Sequence, residues 1–137
     1  MDENKSFFQF ENFLIQKSVF NLVSNSVSDL SVSFSPSGEL DYENGKFRLY
    51  LGIYISDESE SLQIELDAVG FFTFGEVSRA ELSDFLFVNA PALLFPYLRA
   101  YISTLSTLSG INPVVLPTLN LISLKDDLAS NIEEVTL

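Results

Sequence analysis

One nearly uncharged segment of this sequence reads Asn89-Ala-Pro-Ala-Leu-Leu-Phe-Pro-Tyr-Leu-Arg-Ala-Tyr-Ile-Ser-Thr-Leu-Ser-Thr-Leu-Ser-Gly110, and its single charge is Arg99. Asn89 is a favourable N-cap residue, and Pro91 fits the first helical turn, where its missing N–H is no loss. Gly110 suits the position that follows the last residue of a helix. The segment therefore predicts a long helix over residues 91–109.

The apolar side chains of this predicted helix recur at spacings of four and three, so they share one stripe. The stripe consists of Leu94, Leu98, Tyr101, Leu105 and Leu108. Phe95 and Ile102 widen it, while Ala100, Ser103 and Thr107 on the opposite side are small enough for another element to approach closely. A helix without a broad polar face does not lie against water, so we expect it to be buried between two layers.

A long aromatic-rich segment opens the chain after a predicted tail at residues 1–5. Residues 6–23 predict a strand in which Phe8 and Phe10 share one face while Phe13 and Ile15 continue on the other parity, so a bulge is expected near Asn12. The length of this strand and its place in the chain favour a sheet edge. Pairing with the same strand of a second subunit would cover that edge.

Three further strands are predicted before the helix, all within residues 6–75. Residues 30–35 alternate in polarity, residues 39–43 either continue that strand or belong to the connection, and Asn44-Gly45 predicts a hairpin turn. Gly70 interrupts the last strand and predicts a bulge or bend. The expected inward side chains of the last two strands are Phe47, Leu49, Leu51, Ile53 and Ile55, followed by Leu62, Ile64, Leu66 and Ala68.

The remaining segments complete a single α+β domain over residues 1–137. Residues 76–88 predict a short helix or an irregular passage, residues 110–121 a connecting loop, and residues 122–134 a C-terminal helix. Strands followed by helices are typical of antiparallel α+β folds rather than of alternating βαβ units. We expect a four-stranded antiparallel sheet, packed by the long helix and the shorter C-terminal helix.

Composition restricts the classes of partner. The formal net charge of −12 opposes binding to nucleic acid and to anionic membrane surfaces. Hydrophobic residues make up 47% of the chain, so either a second copy or a ligand covers some of them, or the chain is an apolar-rich monomer. Gly110, Asn112, Pro113, Pro117 and Asn120 interrupt the uncharged residues 100–124, which argues against membrane insertion. The acidic start and the absence of cysteine fit a cytoplasmic protein.

The sequence offers little for catalysis. It has no histidine and no cysteine, which excludes Ser-His-Asp triads, histidine metal sites and thiol nucleophiles. No phosphate-binding or dinucleotide-binding glycine pattern is present. Asp57, Glu58 and Glu60 fall in a predicted exposed turn, where solvated charges are the ordinary interpretation. We therefore predict neither an enzyme nor a cofactor or metal site.

Several short motifs resemble the SecB family of protein-export chaperones. They are Leu94-Phe-Pro-Tyr-Leu-Arg99, Ile102-Ser103 and, after a loop, Leu116-Pro-Thr-Leu-Asn120. Phe8-Gln9 and Gly70-Phe71-Phe72 extend the likeness over most of the chain. The resemblance implies subunits of four antiparallel strands and two helices. It also implies a homotetramer, formed as a dimer of dimers, in which the long helices lie between two sheets.

The resemblance also implies two sets of binding residues. Sheet residues, the connecting loop and the last helix would form a polypeptide-binding groove: Phe34, Tyr42, Phe72, Phe74, Val114, Val115, Leu116, Leu119 and Leu121. Independently of the resemblance, a surface loop this apolar either packs on the sheet or lines a groove. The implied oligomer interface comprises Phe8, Phe10, Leu98, Tyr101, Leu105 and Leu108.

The function implied by the resemblance is a holdase, which binds unfolded polypeptides without nucleotide or cofactor. It would act in protein export, or for a dedicated client such as an antitoxin. Glu65 stands where an acid that contacts the SecA motor is expected, whereas Lys17, Asn21 and Gln63 depart from the export pattern. These departures suit a relative that guards a specific client, without export, at least as well as they suit an export factor. A carrier of small hydrophobic ligands and an oligomeric scaffold remain the alternatives.

Overall fold

The computed structural model describes residues 7–116 and 121–137. Four long strands form an antiparallel sheet: β1 (Phe8–Leu22), β2 (Leu30–Asp41), β3 (Lys46–Asp57) and β4 (Leu62–Phe74). A short strand, β5 (Ile132–Glu134), pairs in parallel with β2, so the strand order is β1-β4-β3-β2-β5. The α+β class is confirmed, but the expected sheet of four strands is wrong by one strand.

The fifth strand replaces the end of the expected C-terminal helix. Helix α3 (Leu121–Ala129) ends before residues 130 and 131, and the chain then runs along β2. The backbone N–H of Gly38 donates to the carbonyl oxygen of Asn131 at 3.0 Å, and that of Val135 donates to the carbonyl oxygen of Leu40 at 2.9 Å. Residues 132–134 thus form backbone hydrogen bonds with the edge of β2. In a frayed last helical turn, their backbone groups would bind only water.

Strand β1 lies at one edge of the sheet, as the sequence predicts. Its register against β4 shifts between Phe10 and Asn12, which confirms the predicted bulge, and again between Ile15 and Lys17. Each extra residue reverses the side-chain parity, so Phe10 pairs with Phe72 and Phe13 with Gly70 on the same face of β4. The bulges therefore keep the aromatic residues of β1 on the face that the helix covers.

Gly70 does not introduce a bulge into the pairing of β4 with β3, although its place in the sequence predicts a bulge or a bend. The register of β4 with β3 runs without a shift, and every even-numbered residue of β4, Gly70 included, is buried. A Cβ atom at this position would lie 3.0 Å from Cε1 of Phe72 and 3.4 Å from Cδ2 of Leu94. The glycine therefore makes room for the helix to approach the sheet closely.

Of the two alternatives for residues 76–88, the structure has the short helix. Helix α1 (Arg79–Asp84) is capped by Ser78, whose Oγ accepts from the backbone N–H of Glu81 at 3.1 Å. A π-helical turn, Phe85–Asn89, then leads directly into α2 (Ala90–Leu108). The predicted N-cap at Asn89 is therefore wrong, because that residue already has helical dihedrals. Gly110, with φ of 93°, follows the end of α2 as predicted.

Helix α2 places one stripe on the sheet and the opposite face outward. The buried stripe recurs every four residues: Ala90, Leu94, Leu98, Ile102 and Ser106. It is rotated from the predicted stripe, since Tyr101 and Leu105 are only half-buried and Leu108 is 82% exposed. The outward face consists of Leu93, Tyr97, Ala100, Thr104 and Leu108, and we call it the outer face of α2.

By length and composition alone, the helical run Arg79–Leu108 is apolar enough to cross a membrane. The core helix of a water-soluble protein meets the same criterion. The inner stripe of α2 packs here on the sheet, with Leu94 and Leu98 fully buried. The apolar character of the run is thus accounted for on one side by the core. On its outer face, Tyr97 meets the rings of Phe10 and Phe13 at centroid distances of 5.5 and 5.1 Å and still stays half exposed.

Candidate polypeptide-binding surfaces

The loop that follows α2 is held against the helix and forms one wall of a cleft. Ser106 Oγ accepts from the backbone N–H of Val114 at 2.8 Å, and Ser103 Oγ donates to the Val114 carbonyl at 3.0 Å. This anchoring buries Val114 and leaves Val115 59% exposed. The cleft has a volume of about 390 Å³, and we call it the loop cleft. Its lining residues are Asn25, Val27, Ser28, Leu30, Gly110, Ile111, Asn112, Pro113, Val114 and Val115.

The opposite wall of the loop cleft, residues 25–30, is fixed by a buried carboxylate. Asp57 accepts from the backbone N–H of Ser28 at 3.0 Å, from Ser59 Oγ at 2.7 Å and from the backbone N–H of Leu62 at 2.9 Å. These hydrogen bonds, that of Ser59 foremost, hold the pKa of Asp57 well below its usual value. Asp57 is only 4% exposed, so its prediction as a solvated turn charge is wrong.

A second apolar cleft, of about 430 Å³, lies between the start of β1 and the helices. Its lining residues are Phe7, Phe8, Phe85, Asn89, Ala92 and Leu93. The ring of Phe8 stacks between Phe72 and Phe85, with centroid distances of 5.1 and 5.2 Å. Because Leu93 also belongs to the outer face of α2, this β1 cleft and that face form one continuous apolar surface.

The surroundings of Tyr42 are polar. Its hydroxyl donates to the Val77 carbonyl at 2.6 Å, and the guanidinium of Arg79 lies 4.3 Å from the ring centroid. Arg79 in turn pairs with Glu134 of β5 at 3.0 Å. Tyr42 borders two open clefts of about 680 and 470 Å³, and both are also lined by Glu43. Its contacts join the start of the helices to β5 and the sheet.

The structure separates the predicted groove residues. Val115 is exposed, Phe34 and Tyr42 are half-buried, and Phe74 is buried beside the larger cleft at Tyr42. Phe72, Val114 and Leu116 lie in the core, at 2%, 5% and 1% exposed. Leu119 lies outside the described residues, and Leu121 begins α3. The described part thus brings Val114 and Val115 to the loop cleft and leaves the aromatic residues elsewhere.

The predicted interface residues also divide into two groups. Leu98 is fully buried within the chain and has no surface left for a second subunit. Phe8, Phe10, Tyr101 and Leu105 are half-buried, and Leu108 is the most exposed of the set. Sequence reasoning missed Leu93 and Tyr97, which lie on the outer face of α2. Their spacing with Ala100, Thr104 and Leu108 is also that of one helical face, so the pattern alone left the orientation undecided.

Two acids on the outer face of the sheet are paired with basic side chains. Glu65 binds Lys17 across the β1–β4 pair at 3.0 Å, and this hydrogen bond raises the pKa of Lys17. On β2, Glu39 accepts from the Tyr50 hydroxyl and lies 4.0 Å from Arg48. Within residues 7–116 and 121–137, no cluster of acidic side chains has the arrangement of a metal site. The surface around Glu65 is therefore less negative than its carboxylates suggest.

Fold and surfaces together define an α+β protein that presents apolar clefts and an apolar helix face. The family described as preprotein translocase subunit SecB matches residues 25–128. The chain is 25% identical over 120 residues to the protein-export protein SecB of Ruegeria sp., covering 84% of this chain and 71% of the relative. It is 27% identical over 136 residues to an uncharacterized protein of Methanocaldococcus jannaschii, covering 93% and 85%.

A solved structure shows the same fold. The SecB-like chaperone of Mycobacterium tuberculosis, determined in complex with a ChAD peptide from the HigA1 antitoxin, superposes with a TM-score of 0.68 at 16% identity. The match covers 82% of this chain and 88% of that one. The chain belongs to the SecB family of protein-export chaperones, as its sequence motifs indicate.

Proposed function

We propose that the chain is a holdase, which binds extended segments of nonnative polypeptides at its apolar clefts and makes or breaks no covalent bond. The observation that carries this proposal is the loop cleft, where Leu30 and Val115 stay 39% and 59% exposed although the chain has a well-filled core. When a client side chain covers exposed apolar surface of this kind, binding is stabilised by roughly 25 cal/mol for each Å² that is buried.

The outer face of α2 and the β1 cleft suit a different occupant, a second copy of the chain. Leu93 and Tyr97 are 41% and 50% exposed. Further along the same face, Ala100 and Thr104 have side chains small enough for a facing helix to approach closely. The edge strand β1 lies beside this face. We propose a dimer of dimers in which these faces are buried, so that several clefts act on one client through effective concentration.

A dedicated client suits the outer sheet face better than handover to a motor protein. Lys17 neutralises Glu65 at the position where an acidic contact is expected for SecA. The M. tuberculosis chaperone of the same fold was solved with an antitoxin peptide. We therefore favour a cytoplasmic chaperone for a specific client, such as an antitoxin, over a general export factor.

Aggregation of insulin after reduction by dithiothreitol tests the holdase function. The chain contains no cysteine, so the reductant alters only the client. We expect the wild-type chain to suppress light scattering from the released B chains. Val115→Asp should weaken this protection roughly tenfold, since one buried valine contributes about 1.5 kcal/mol or more.

Val23→Asp is the matched control, because Val23 is 84% exposed and does not line the loop cleft. It should protect as the wild type does. Equal protection by all three proteins would show that clients bind outside the loop cleft. No protection by any of them contradicts the holdase function and favours a scaffold or a carrier.

A further inference from the structure

The larger of the two clefts at Tyr42 lies at the far end of β2 from the loop cleft. Tyr42 directly follows the last residue of β2, whereas Leu30, which lines the loop cleft, is the first residue of that strand. The larger cleft has a volume of about 680 Å³, and we call it the Tyr42 cleft. Its lining comes from residues 42–45, in the turn between β2 and β3, and from residues 74–78, none of which lines the loop cleft.

The apolar residues of the Tyr42 cleft lie deeper than its acidic ones. Phe74 is buried, Tyr42 and Val77 are half-buried, and Glu43 and Glu76 are exposed. The lining residues include no lysine or arginine, and Glu43 belongs to none of the ion pairs in the described part of the chain. This lining suits a ligand with an apolar stem and a cationic head, which among protein side chains means arginine or lysine.

The smaller cleft at Tyr42 already holds such a cation, which the chain itself supplies. The guanidinium of Arg79 lies 4.3 Å from the centroid of the Tyr42 ring, and it pairs with Glu134 at 3.0 Å. All three residues line the smaller cleft, whereas Arg79 does not line the Tyr42 cleft. The Tyr42 cleft thus offers the same chemistry, an aromatic ring and a carboxylate, to a cation that none of its own lining residues provides.

We propose that the Tyr42 cleft binds an arginine or lysine side chain of a nonnative polypeptide. The apolar stem of that side chain contacts Phe74 and Val77, and its charged head binds the Tyr42 ring and the Glu43 carboxylate. This inference rests on the holdase function and adds to it a second site, which prefers basic rather than apolar residues. The net charge of −12 attracts basic segments to the whole surface, so a specific site requires a dependence on Glu43 that other surface acids lack.

Two short peptides that differ only in charge test this site. The probe is the capped pentapeptide acetyl-Ser-Gly-Arg-Gly-Ser-amide, and its partner carries citrulline, which has nearly the shape of arginine but no charge. The protein is labelled with ¹⁵N at its glycines, of which Gly45 and Gly75 line the Tyr42 cleft and Gly110 lines the loop cleft. We expect the arginine peptide to shift the amide signals of Gly45 and Gly75 but not that of Gly110. The citrulline peptide should bind about tenfold more weakly, because it lacks the cationic head.

Two matched variants separate the cleft from the overall charge of the protein. Glu43→Gln should weaken binding of the arginine peptide about tenfold, whereas Glu58→Gln, the same change at an exposed position of another turn, should leave it unchanged. Equal weakening by both variants overturns the proposal, and so does a shift of Gly110 in place of Gly45 and Gly75.

The insulin assay judges the holdase function separately. A chain that protects reduced insulin but shows no arginine-dependent shift at Gly45 and Gly75 keeps the function and lacks this site. A chain that does not protect insulin contradicts the function itself.

Discussion

At the scale of single residues, two buried polar side chains hold the walls of the loop cleft. Ser106 fixes the loop after α2 through Val114, and Asp57 fixes the wall formed by residues 25–30 through Ser28. Among the described side chains, no buried nitrogen or oxygen atom lacks a partner, so both anchors are satisfied. A carboxylate that accepts several hydrogen bonds in a buried site stabilises the fold only while it is charged.

Replacing Asp57 by asparagine should lower the urea midpoint at neutral pH, because the amide brings its own N–H donors to a site where Ser28, Ser59 and Leu62 all donate. The pH dependence follows from the lowered pKa of Asp57 in the folded protein. Its contribution is present above the unfolded-state pKa of about 3.9 and is lost as pH falls toward the folded value. Urea titrations at several pH values measure this.

The control is Glu58→Gln, which removes a charge from an exposed position in the same turn. It should leave the urea midpoint near that of the wild type. The wild-type midpoint should fall on acidification below about pH 4, and the Asp57→Asn variant should lack this part of the fall. A variant with the acid profile of the wild type would show that Asp57 does not carry the effect.

At the scale of elements, the close contact between α2 and β4 sets the position of everything that the helix carries. Gly70 lies under Leu94, and the small side chains Ala90 and Ser106 in the buried stripe also permit close approach. The anchored loop and the outer face of α2 then follow from where the helix lies. A side chain at position 70 should therefore disturb both.

Gly70→Val should destabilise the fold by about 1–3 kcal/mol, because its side chain enters a packed contact between Phe72 and Leu94. Gly70→Ala should cost less, since a single methyl group requires a smaller shift of the Leu94 side chain. The measurement is the free energy of unfolding from urea titration for the three proteins. Equal stability of all three would mean that α2 does not approach β4 as closely as described.

The sequence predicted the strands well because their polarity alternates, and it predicted the bulge near Asn12 because the aromatic residues change parity there. The prediction from sequence was wrong where one pattern of residues fits two different structures. The spacing in α2 fits several faces, so only the sheet decides that Ile102 is buried and Leu108 is not. Ser78 and Glu81 have the spacing of a helix capping box, but the N-cap was assigned to Asn89 instead. Residues 132–134 become a strand only because the edge of β2 is available.

The candidate site was less predictable than the fold. Val115 was correctly singled out as an apolar residue of a surface loop, but Val114 is held against α2 by hydrogen bonds with Ser103 and Ser106 that no local pattern reveals. Asp57 was assigned to solvent because its neighbours in sequence are acidic. Ser59 is a local partner, but the backbone N–H of Ser28 also donates to Asp57, and only the folded chain brings residue 28 to this turn.

At the scale of the whole molecule, apolar surface remains after the core is complete. The outer face of α2, the β1 cleft and the loop cleft are separate from the fully buried residues. The net charge of −12 keeps such a chain dispersed in water. In our account, copies of the chain cover the first two surfaces, and nonnative polypeptides cover the third.

Leu108→Asp should dissociate the assembly into smaller units, because an unpaired charge in a buried interface is strongly unfavourable, by about 3–5 kcal/mol. The side chain is 82% exposed in the single chain, so the fold of the subunit should not change. Sedimentation velocity measures the size. Val115→Asp, which lies in the loop cleft, serves as the control and should leave the assembly intact. If the Leu108→Asp variant keeps the size of the wild-type assembly, the outer face of α2 is not part of the interface between subunits.

The most direct measurement is native mass spectrometry of the wild-type chain with and without reduced, carboxymethylated α-lactalbumin, a permanently unfolded protein. We expect an assembly of four copies, and a further species in which that assembly carries the unfolded protein. A single copy that carries no unfolded protein would contradict the account, because the outer face of α2 and the loop cleft would then both lack the partners assigned to them.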